Sequence, residues 1–447
     1  MRDIKNITSR KRLARFRLFQ LRRRPSNNSY RTLTEAKPAQ RRLRFLLPAM
    51  ALLLAAYPVV SLITSARNAV SSVAPAPPPK VKPYSPLDPY KSFQLAADSL
   101  PALSPQGENF VAPLPDGGTI IYSIDQDLQE RVQKVMASYQ VPYGAFVAVE
   151  PKTGRILAIA GHSTIDPRWK ERAYFNVYPM ASLFKIITAA AALEEKKVSA
   201  DTVFAYRGKL TSVNPKYWSV RPGRGNQEMS LATAMGKSVN PVFGRLASDV
   251  VGRTSIMSSV ERFGFNQPLL PGTSITPSKA APPQNDMELM LMGAGLGREV
   301  KVSPFHAALM MAAIANDGVM MLPSLANQIK NGKGETIFSL TPQTARRMVT
   351  PETAAQLARM LSTTVSTGTS RRAFHDKRGR PKLASVNIAA KTGTIDGKDP
   401  AGHYSWFAAY APINDPQIAL VALIINQDKW RIKASYVGEQ ALEAFFK

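Results

Sequence analysis

The sequence predicts a mixed α/β fold of the α+β type, with an antiparallel sheet flanked by helices and a helical subdomain inserted in the middle. Two apolar segments joined by a turn in "GAFVAVEPKTGRILAIAG", residues 144–161, are typical of a β-hairpin. Three further apolar segments, each typical of a strand, lie between residues 385 and 426. The stretch from 180 to 320 is mostly helical in pattern, so we expect strands from both ends of the domain to complete one sheet around a helical insertion.

The outer limits of this domain are predicted from two further segments. "TIIYSID", residues 119–125, is typical of a strand and is followed by "DLQERVQKVMASY", which has the pattern of an amphipathic helix. At the other end, "YVGEQALEAFF", residues 436–446, predicts a closing helix. The domain is therefore expected to span residues 119–447.

Composition excludes several kinds of chemistry. The chain of 447 residues is 45% hydrophobic, which is ample for a packed core, and it contains no cysteine. Disulfides, thiol catalysis and thiolate metal sites are therefore excluded. No pair among the histidines at 162, 306, 375 and 403 has the spacing of metal ligands. We expect neither a metal nor a cofactor.

The N-terminal region predicts a membrane anchor. Residues 1–44 contain 15 Lys and Arg residues against only Asp3 and Glu35, and residues 45–64 contain no charge. Twenty helical residues span about 30 Å, the thickness of a bilayer core. Arginines are more frequent before this segment than after it, which indicates a basic cytoplasmic tail at 1–44. The rest of the chain is then expected on the outer side of the membrane, as the extracytoplasmic part of a single-pass protein.

Two other interpretations of this region are less consistent with the sequence. A cleaved signal peptide would have an unusually long basic region, and its small-residue motif at 74–76 is followed by prolines. As a nucleic-acid-binding tail, residues 1–44 have few aromatic residues and adjoin a membrane span, where anionic lipid is the nearer partner. Residues 74–118 hold eleven of the 35 prolines, so residues 65–118 are predicted to be an extended Pro-rich linker.

Ser182 and Lys185 are the first candidate catalytic residues. They lie three positions apart at the start of a strongly apolar helical segment, "MASLFKIITAAAALEE", so their side chains are expected on one helix face. Burial disfavours the charged form of lysine, and it would lower the pKa of Lys185 into the range where the amine accepts a proton. The N–H of Ser182, near a helix start, could also bind an oxyanion.

Two further motifs, Ser-x-Asn and Lys-Thr-Gly, could supply the remaining catalytic residues. Each occurs more than once, so the position of each copy in the chain decides which copy is a candidate. Ser-x-Asn begins at residues 26, 212, 238 and 385, and Lys-Thr-Gly begins at residues 152 and 391. Lys152 falls in the hairpin turn, and Ser385 is too close to Lys391 to be an independent element. Ser212 is the main alternative to Ser238, but its surroundings are typical of an exposed loop, whereas Ser238 lies at a junction within the helical region. The selected order is Ser182-x-x-Lys185, Ser238-x-Asn240 and Lys391-Thr-Gly-Thr394.

These three elements form the active-site set of penicillin-binding proteins and serine β-lactamases. Over residues 119–447 the sequence resembles the penicillin-binding transpeptidase family. The segments "ERFGF", "GAGLGREVKVSPFHAALMMAAIANDG" and "YSWFAAYAP" are similar to the usual surroundings of these motifs, in the usual order. The resemblance implies a β-lactamase/transpeptidase-like fold, with peptidoglycan stem peptides as substrates and β-lactam antibiotics as inhibitors.

The resemblance also implies a role for each catalytic residue. Ser182 would attack the carbonyl of a D-Ala-D-Ala stem peptide and form an acyl-enzyme, after Lys185 has taken its proton. Ser238 would relay a proton to the departing D-alanine. Lys391 would supply positive charge near Ser238 and near the substrate carboxylate.

Substrate binding is implied for four more residues. Asn240 would hydrogen-bond a substrate amide, and the hydroxyls of Thr392 and Thr394 would hold the substrate carboxylate. The N–H of Thr394 would complete the oxyanion hole. Gly393, which has no side chain, would let the substrate backbone lie along the strand.

Other activities of the same superfamily remain as alternatives. A class A β-lactamase would need a deacylating glutamate, commonly in an E-x-x-L-N segment, which is absent from the sequence; a class D enzyme usually has Tyr-Gly-Asn in place of Ser238-Val239-Asn240. A D,D-carboxypeptidase is the closer alternative, because Ala181 stands where the large transpeptidases have glycine. The "KTGT" and "GLGREVKVSP" segments favour a transpeptidase.

A non-enzymatic function is a further alternative. A β-lactam sensor or a scaffold of the wall-synthesis machinery would need an internal signalling domain, for which the 44-residue tail is too short. Between the predicted span and residue 119 there is no room for a glycosyltransferase domain, so the partner hypothesis is a separate glycosyltransferase of wall synthesis. The basic loop at 370–382 is typical of a solvated connection, with contact to anionic wall polymer or lipid as an alternative hypothesis.

Overall fold

The computed structural model describes residues 86–223 and 225–447. The predicted cytoplasmic tail (1–44), membrane span (45–64) and first part of the linker lie outside these residues. Within the described ranges, none of the helices combines the length and the apolar character needed to cross a membrane.

The helices are concentrated between the two groups of strands, as the sequence predicts. They are α1 (Pro89–Asp98), α2 (Gln126–Ser138), α3 (Phe184–Glu194), α4 (Leu231–Lys237), α5 (Asn240–Arg245), α6 (Arg253–Arg262), α7 (Asp286–Gly293), α8 (Pro304–Ala315), α9 (Pro351–Ser366), α10 (Arg371–Phe374) and α11 (Ala434–Phe446). A π-helical segment, Leu246–Val251, continues α5. The helical subdomain and the closing helix are therefore confirmed.

The strands form two larger sheets and several two-stranded pieces. In chain order they are β1 (Ser104–Gln106), β2 (Asn109–Pro113), β3 (Thr119–Tyr122), β4 (Tyr143–Val149), β5 (Ile156–Ser163), β6 (Tyr178–Pro179), β7 (Val203–Tyr206), β8 (Gln227–Ser230), β9 (Lys301–Val302), β10 (Val319–Met321), β11 (Ala326–Lys330), β12 (Thr336–Ser339), β13 (Thr344–Arg347), β14 (Ala389–Lys398), β15 (Ala401–Ala411) and β16 (Ile418–Asn426). The central sheet has the order β14-β15-β16-β4-β5, and all of its pairs are antiparallel.

The central sheet joins distant parts of the chain, because β16 pairs with β4 and places Ala422 opposite Phe146. This pairing confirms that both ends of the domain complete one sheet. The two faces of the sheet bury separate apolar clusters, since side chains alternate along each strand. Phe146 packs on the side of α2 and α11, whereas its neighbour Val147 packs on the side of the helical subdomain.

The linker prediction is wrong for residues 86–118. Instead of an extended spacer, this part of the chain forms α1, β1 and β2, and the second five-stranded sheet has the order β1-β2-β3-β11-β12. Phe93 and Phe110 are buried, and the Tyr122 hydroxyl donates a hydrogen bond to the carbonyl of Ala96 at 2.8 Å. Proline content misled the prediction, because β1 buries no residue and β2 buries only Phe110 and Ala112, so neither has a strong apolar signal. The two strands pair with each other, and β2 pairs with β3, which in turn pairs with the distant β11. The same topology places Thr119–Tyr122 in this second sheet and not in the central one.

Candidate active site

Ser182 lies in a tight turn immediately before α3. The turn, Ala181–Leu183, is 3-10 helical and leads directly into Phe184. Ala181 has φ +54°, in the left-handed region that residues with a side chain rarely adopt. Because the chain turns sharply before the helix, Ser182 is partly exposed. Leu183, just before the helix, and Phe184, its first residue, are buried. The local fold therefore presents one hydroxyl at the surface of an otherwise apolar segment.

Lys185 is fully buried and is surrounded by acceptors. Its Nζ lies 2.8 Å from Ser182 Oγ and 2.8 Å from Asn240 Oδ1, and it also donates to the carbonyl oxygen of Ala294. The ring of Phe243 lies 5.9 Å from Nζ. Burial lowers the pKa of Lys185 well below its usual value, and the positive charge of Lys391 lowers it further.

Asn240 is held in a single orientation. It is the first residue of α5, and its Nδ2 donates to the carbonyl oxygen of Ser212 at 3.1 Å. A carbonyl can only accept, so the amide must present Nδ2 to Ser212 and Oδ1 to Lys185. The backbone N–H of Asn240 donates to the carbonyl of Leu210. The loop at 210–212 thus fixes the amide from one side.

Ser238 and Lys391 form the second polar pair of the site. Ser238 ends α4 with φ +56°, which turns the chain sharply into α5 and directs the serine toward β14. Lys391, fully buried in β14, donates to Ser238 Oγ at 2.9 Å and to the carbonyl of Thr392 at 2.8 Å. Burial lowers the pKa of Lys391 to about 7. This ammonium therefore loses its proton near neutral pH.

Gly393 allows β14 to approach the turn that carries Ser182. A Cβ atom placed on Gly393 would lie 3.1 Å from Ala181 Cβ and 3.3 Å from Trp406 Cβ, closer than side chains normally tolerate. β14 is also the edge strand of the central sheet, so its outer side faces the helical subdomain and not another strand of that sheet. Thr392 lies beside Thr369, with 2.5 Å between the two hydroxyl oxygens.

A cleft of about 440 Å³ connects these elements. Six predicted residues line it: Ser182, Ser238, Asn240, Thr392, Gly393 and Thr394. Lys185 and Lys391 lie beneath its floor and contact lining residues. The structure thus brings together all eight residues selected from the sequence. Among the described residues, His, Asp and Glu side chains form no group of three or more that could bind a metal.

Of the motif copies that were not selected, Lys152 and Ser212 do not line the cleft, and Ser26 lies outside the described residues. Lys152 is exposed and pairs with Asp415 at 2.7 Å. The Ser212 hydroxyl accepts a hydrogen bond from Trp218 Nε1 at 2.9 Å. Its carbonyl, however, is the group that orients Asn240. Ser212 therefore serves the site through its backbone, which a side-chain motif does not reveal.

Other residues of the site carry no sequence signal. The carbonyl of Ala294 accepts from Lys185, Thr369 contacts Thr392, and both Lys433 and Ser435 line the cleft. Each comes from a segment far from the three motifs in the chain. Only tertiary packing brings them to the cleft.

Comparison with known proteins agrees with this geometry. The family model described as the penicillin binding protein transpeptidase domain matches residues 144–447. The chain belongs to this family. A peptidoglycan D,D-transpeptidase, PbpA, of Mycolicibacterium smegmatis is 29% identical over 69% of this chain and 68% of its own length. Stage V sporulation protein D of Bacillus subtilis is 25% identical over 75% of this chain and 54% of its own length.

Solved structures of the family share the fold. The imipenem acyl-enzyme complex of penicillin-binding protein A from M. tuberculosis has a TM-score of 0.62 at 25% identity, covering 74% of this chain and 80% of its own. The D,D-transpeptidase domain of a peptidoglycan glycosyltransferase from Eggerthella lenta has a TM-score of 0.61 at 26% identity, covering 74% and 83%.

Proposed function

We propose that this chain is a D,D-transpeptidase that cross-links peptidoglycan stem peptides through an acyl-enzyme on Ser182 and is inhibited by β-lactams. The observation that carries the proposal is the contact of Ser182 with a buried lysine whose pKa is lowered. Relatives named peptidoglycan D,D-transpeptidases and solved acyl-enzyme complexes of the same family support it.

The surroundings of Lys185 favour its action as the general base. A neutral amine has two N–H groups and one lone pair. Asn240 Oδ1 and the carbonyl of Ala294 can only accept, so they take the two N–H groups and leave the lone pair for the Ser182 hydroxyl. In the first step the hydroxyl proton passes to Lys185 Nζ while Oγ bonds to the carbonyl carbon of the penultimate D-alanine.

The second step breaks the peptide bond. The tetrahedral intermediate collapses to an ester on Ser182, and the amine of the terminal D-alanine leaves with a proton. Ser238 supplies this proton and recovers one from Lys391, whose Nζ lies 2.9 Å from Ser238 Oγ. An amine of a neighbouring peptidoglycan strand then attacks the ester. Its proton passes through Ser238 to Lys391, and Lys185 returns its proton to Ser182 Oγ as the ester bond breaks, so Ser182 is released as a free hydroxyl.

The edge of β14 suits the binding of an extended peptide. Thr392 and Thr394 line the cleft and offer hydroxyls to the substrate carboxylate, and the N–H groups of Ser182 and Thr394 would hold the developing oxyanion. The Asn240 amide already makes hydrogen bonds with Lys185 Nζ and with the carbonyl of Ser212, so a hydrogen bond to a substrate amide would compete with one of these two. Positioning of the base is the role that its observed contacts support.

The proposal includes a membrane anchor. The uncharged segment 45–64, preceded by the basic residues of 1–44, supports a single-pass protein in the bacterial cytoplasmic membrane with residues 86–447 on its outer side. A separate glycosyltransferase would supply the glycan strands to be cross-linked. Protease protection in inside-out and right-side-out vesicles tests this orientation, and cleavage of residues 86–447 from the cytoplasmic side would contradict it.

Product analysis tests the reaction itself. The chain is incubated with a donor peptide ending in D-Ala-D-Ala and a large excess of an amine acceptor such as D-lysine, with Ser182→Ala as control. A transpeptidase yields the donor joined to the acceptor and free D-alanine. Hydrolysed donor as the sole product would identify a D,D-carboxypeptidase, the activity that Ala181 favours, and the absence of both products would contradict an acyltransferase.

A further inference from the structure

Trp218 anchors an exposed loop that lies beside the candidate site. The loop, residues 207–218, follows β7, and among these twelve residues only Pro215 and Trp218 are buried. A 3-10 turn, Pro215–Tyr217, leads into Trp218 and is capped by the side chain of Asn214. The indole itself is fully buried. Burial of so large a side chain from a segment that otherwise faces solvent fixes the position of the loop.

The indole packs on α5 at a glycine. A Cβ atom placed on Gly244 would overlap the ring of Trp218, at 2.6 Å from Cε3, so the indole lies directly against the helix backbone. Gly244 follows Asn240 by four positions in α5, and residues four apart share one face of a helix. The face of α5 that carries the Asn240 amide therefore also receives the indole.

The same loop binds Asn240 through two carbonyl groups. The N–H of Asn240 donates to the carbonyl of Leu210 at 2.9 Å, and its Nδ2 donates to the carbonyl of Ser212 at 3.1 Å. Trp218 Nε1 in turn donates to Ser212 Oγ at 2.9 Å. A buried indole N–H without a partner would carry a desolvation cost, so this bond ties Ser212 to the anchor. Ser212 thus uses its hydroxyl for Trp218 and its carbonyl for Asn240.

We propose that Trp218 is a positioning residue for the general base of the site. By holding the carbonyl of Ser212 on the Asn240 amide, it keeps the amide oxygen directed at Lys185. The proposal rests on the acyltransferase function above, and it adds a residue that does not line the cleft.

Loss of the hydrogen bond between Trp218 and Ser212 has a defined consequence for the base. The carbonyl of Ser212 is then free to move, and the Asn240 amide can turn so that Nδ2 faces Lys185. This N–H disfavours the ammonium form of Lys185 and occupies the lone pair of the neutral amine. The pKa of Lys185 falls further, and fewer molecules offer a free lone pair to the Ser182 hydroxyl. A packing defect alone would cause neither change.

Two variants remove this hydrogen bond from opposite sides. Ser212→Ala removes the acceptor and keeps the carbonyl, whereas Trp218→Phe removes the donor and keeps an aromatic ring against Gly244. The second-order rate of acylation by benzylpenicillin is measured against pH for the full chain, the two variants and the double variant. Tyr217→Phe and Ser219→Ala are the matched controls, because both residues are exposed neighbours of Trp218 and neither lines the cleft.

The expected result is a slower reaction with a displaced pH profile. Ser212→Ala and Trp218→Phe should each lower the maximal rate about tenfold and move the acid limb to lower pH. The double variant should be no slower than the slower single variant, because both changes remove the same bond. Ser212→Thr, which keeps a hydroxyl, should recover most of the rate, and both controls should match the wild-type chain. Lys391, whose charge also lowers the pKa of Lys185, is unchanged in every variant.

A wild-type rate in Ser212→Ala would overturn the proposal, and so would a rate lowered by the same factor at every pH. If circular dichroism shows that Trp218→Phe does not fold, Ser212→Ala decides alone. A wild-type chain that forms no adduct would instead contradict the proposed function. The positioning role is then decided by the pKa of Lys185, followed by NMR of isotope-labelled lysine in the full chain in detergent, with Lys185→Arg to assign the signal. A lower pKa in Ser212→Ala than in the wild-type chain supports the role, and an equal pKa overturns it.

Discussion

Asn240 Oδ1 lies 2.8 Å from Lys185 Nζ, and the carbonyl of Ser212 fixes the amide in this orientation. The contact supplies Lys185 with an acceptor that carries no full charge. A carboxylate at the same position would favour the ammonium form of Lys185, whereas an amide oxygen satisfies an N–H of the neutral amine. Asn240 is therefore a positioning residue for the general base.

The first prediction concerns a variant in which the amide of Asn240 is replaced by a carboxylate. Asn240→Asp should raise the pKa of Lys185 and lower the acylation rate with benzylpenicillin at pH 7 by about 10²-fold, within the usual range for loss of a general base. The acid limb of the pH–rate profile should move to higher pH, which a merely structural defect would not cause. A profile that is lower at every pH by the same factor would show that Asn240 does not tune the base.

The second prediction concerns the crowding between Ala181 and Gly393. Gly393→Ala should slow acylation at least tenfold, because the new methyl group would lie 3.1 Å from Ala181 Cβ and would displace the turn that carries Ser182. Ala181→Gly removes that methyl group and also suits φ +54°. The double variant should recover part of the lost rate, and strictly additive effects would contradict a direct contact.

The third prediction follows from the pKa of Lys391, which burial lowers to about 7. Between pH 7 and the usual lysine value, Lys391 is neutral when folded and protonated when unfolded. The unfolded state then binds more protons, so the free energy of unfolding rises with pH, by about 1.4 kcal/mol per pH unit for one proton. Urea unfolding between pH 8 and 9.5 measures how steeply the free energy of unfolding rises with pH. In Lys391→Met this rise should be smaller than in the wild-type chain by about 1.4 kcal/mol per pH unit.

A slope that is the same in Lys391→Met and in the wild-type chain would mean that Lys391 keeps its proton in the folded state. Lys429→Met, which changes an exposed lysine, is the matched control and should leave the slope unaltered.

The fourth prediction tests the packing of the segment before Thr119. Phe110 is 6% exposed in β2, so Phe110→Ala should lower the free energy of unfolding by about 3 kcal/mol. Asn109→Ala, a change at an exposed position of the same strand, should lower it by less than about 0.5 kcal/mol. Urea unfolding measures both. An extended spacer would leave stability unchanged in both variants.

The sequence reasoning identified the strongly apolar strands and missed short strands that bury few residues. Strongly apolar segments such as β4, β5 and β16 are recognisable alone, and the pairing of β16 with β4 follows from their place at the two ends of the domain. β1 and β2 are short and contain prolines. They pair with each other and with the adjacent β3, but β1 buries no residue and β2 buries only two, so composition alone suggested a linker.

In the candidate site, sequence reasoning identified side chains that belong to motifs and missed backbone groups. Ser182, Ser238 and Lys391 could be selected because each begins a motif with a fixed spacing, and the choice of Ser238 over Ser212 matches the geometry. The carbonyls of Ser212 and Ala294 escaped selection, because any residue type can supply a backbone oxygen.

The most direct test of the central claim is the intact mass of the chain over time after mixing with benzylpenicillin, with Ser182→Ala as control. The account predicts a lasting increase by the mass of one drug molecule, located on Ser182 by peptide mapping and absent from the control. A brief adduct with continuous drug hydrolysis would indicate a β-lactamase. The absence of any adduct on a folded wild-type chain would contradict the assignment of Ser182 and Lys185 as nucleophile and base.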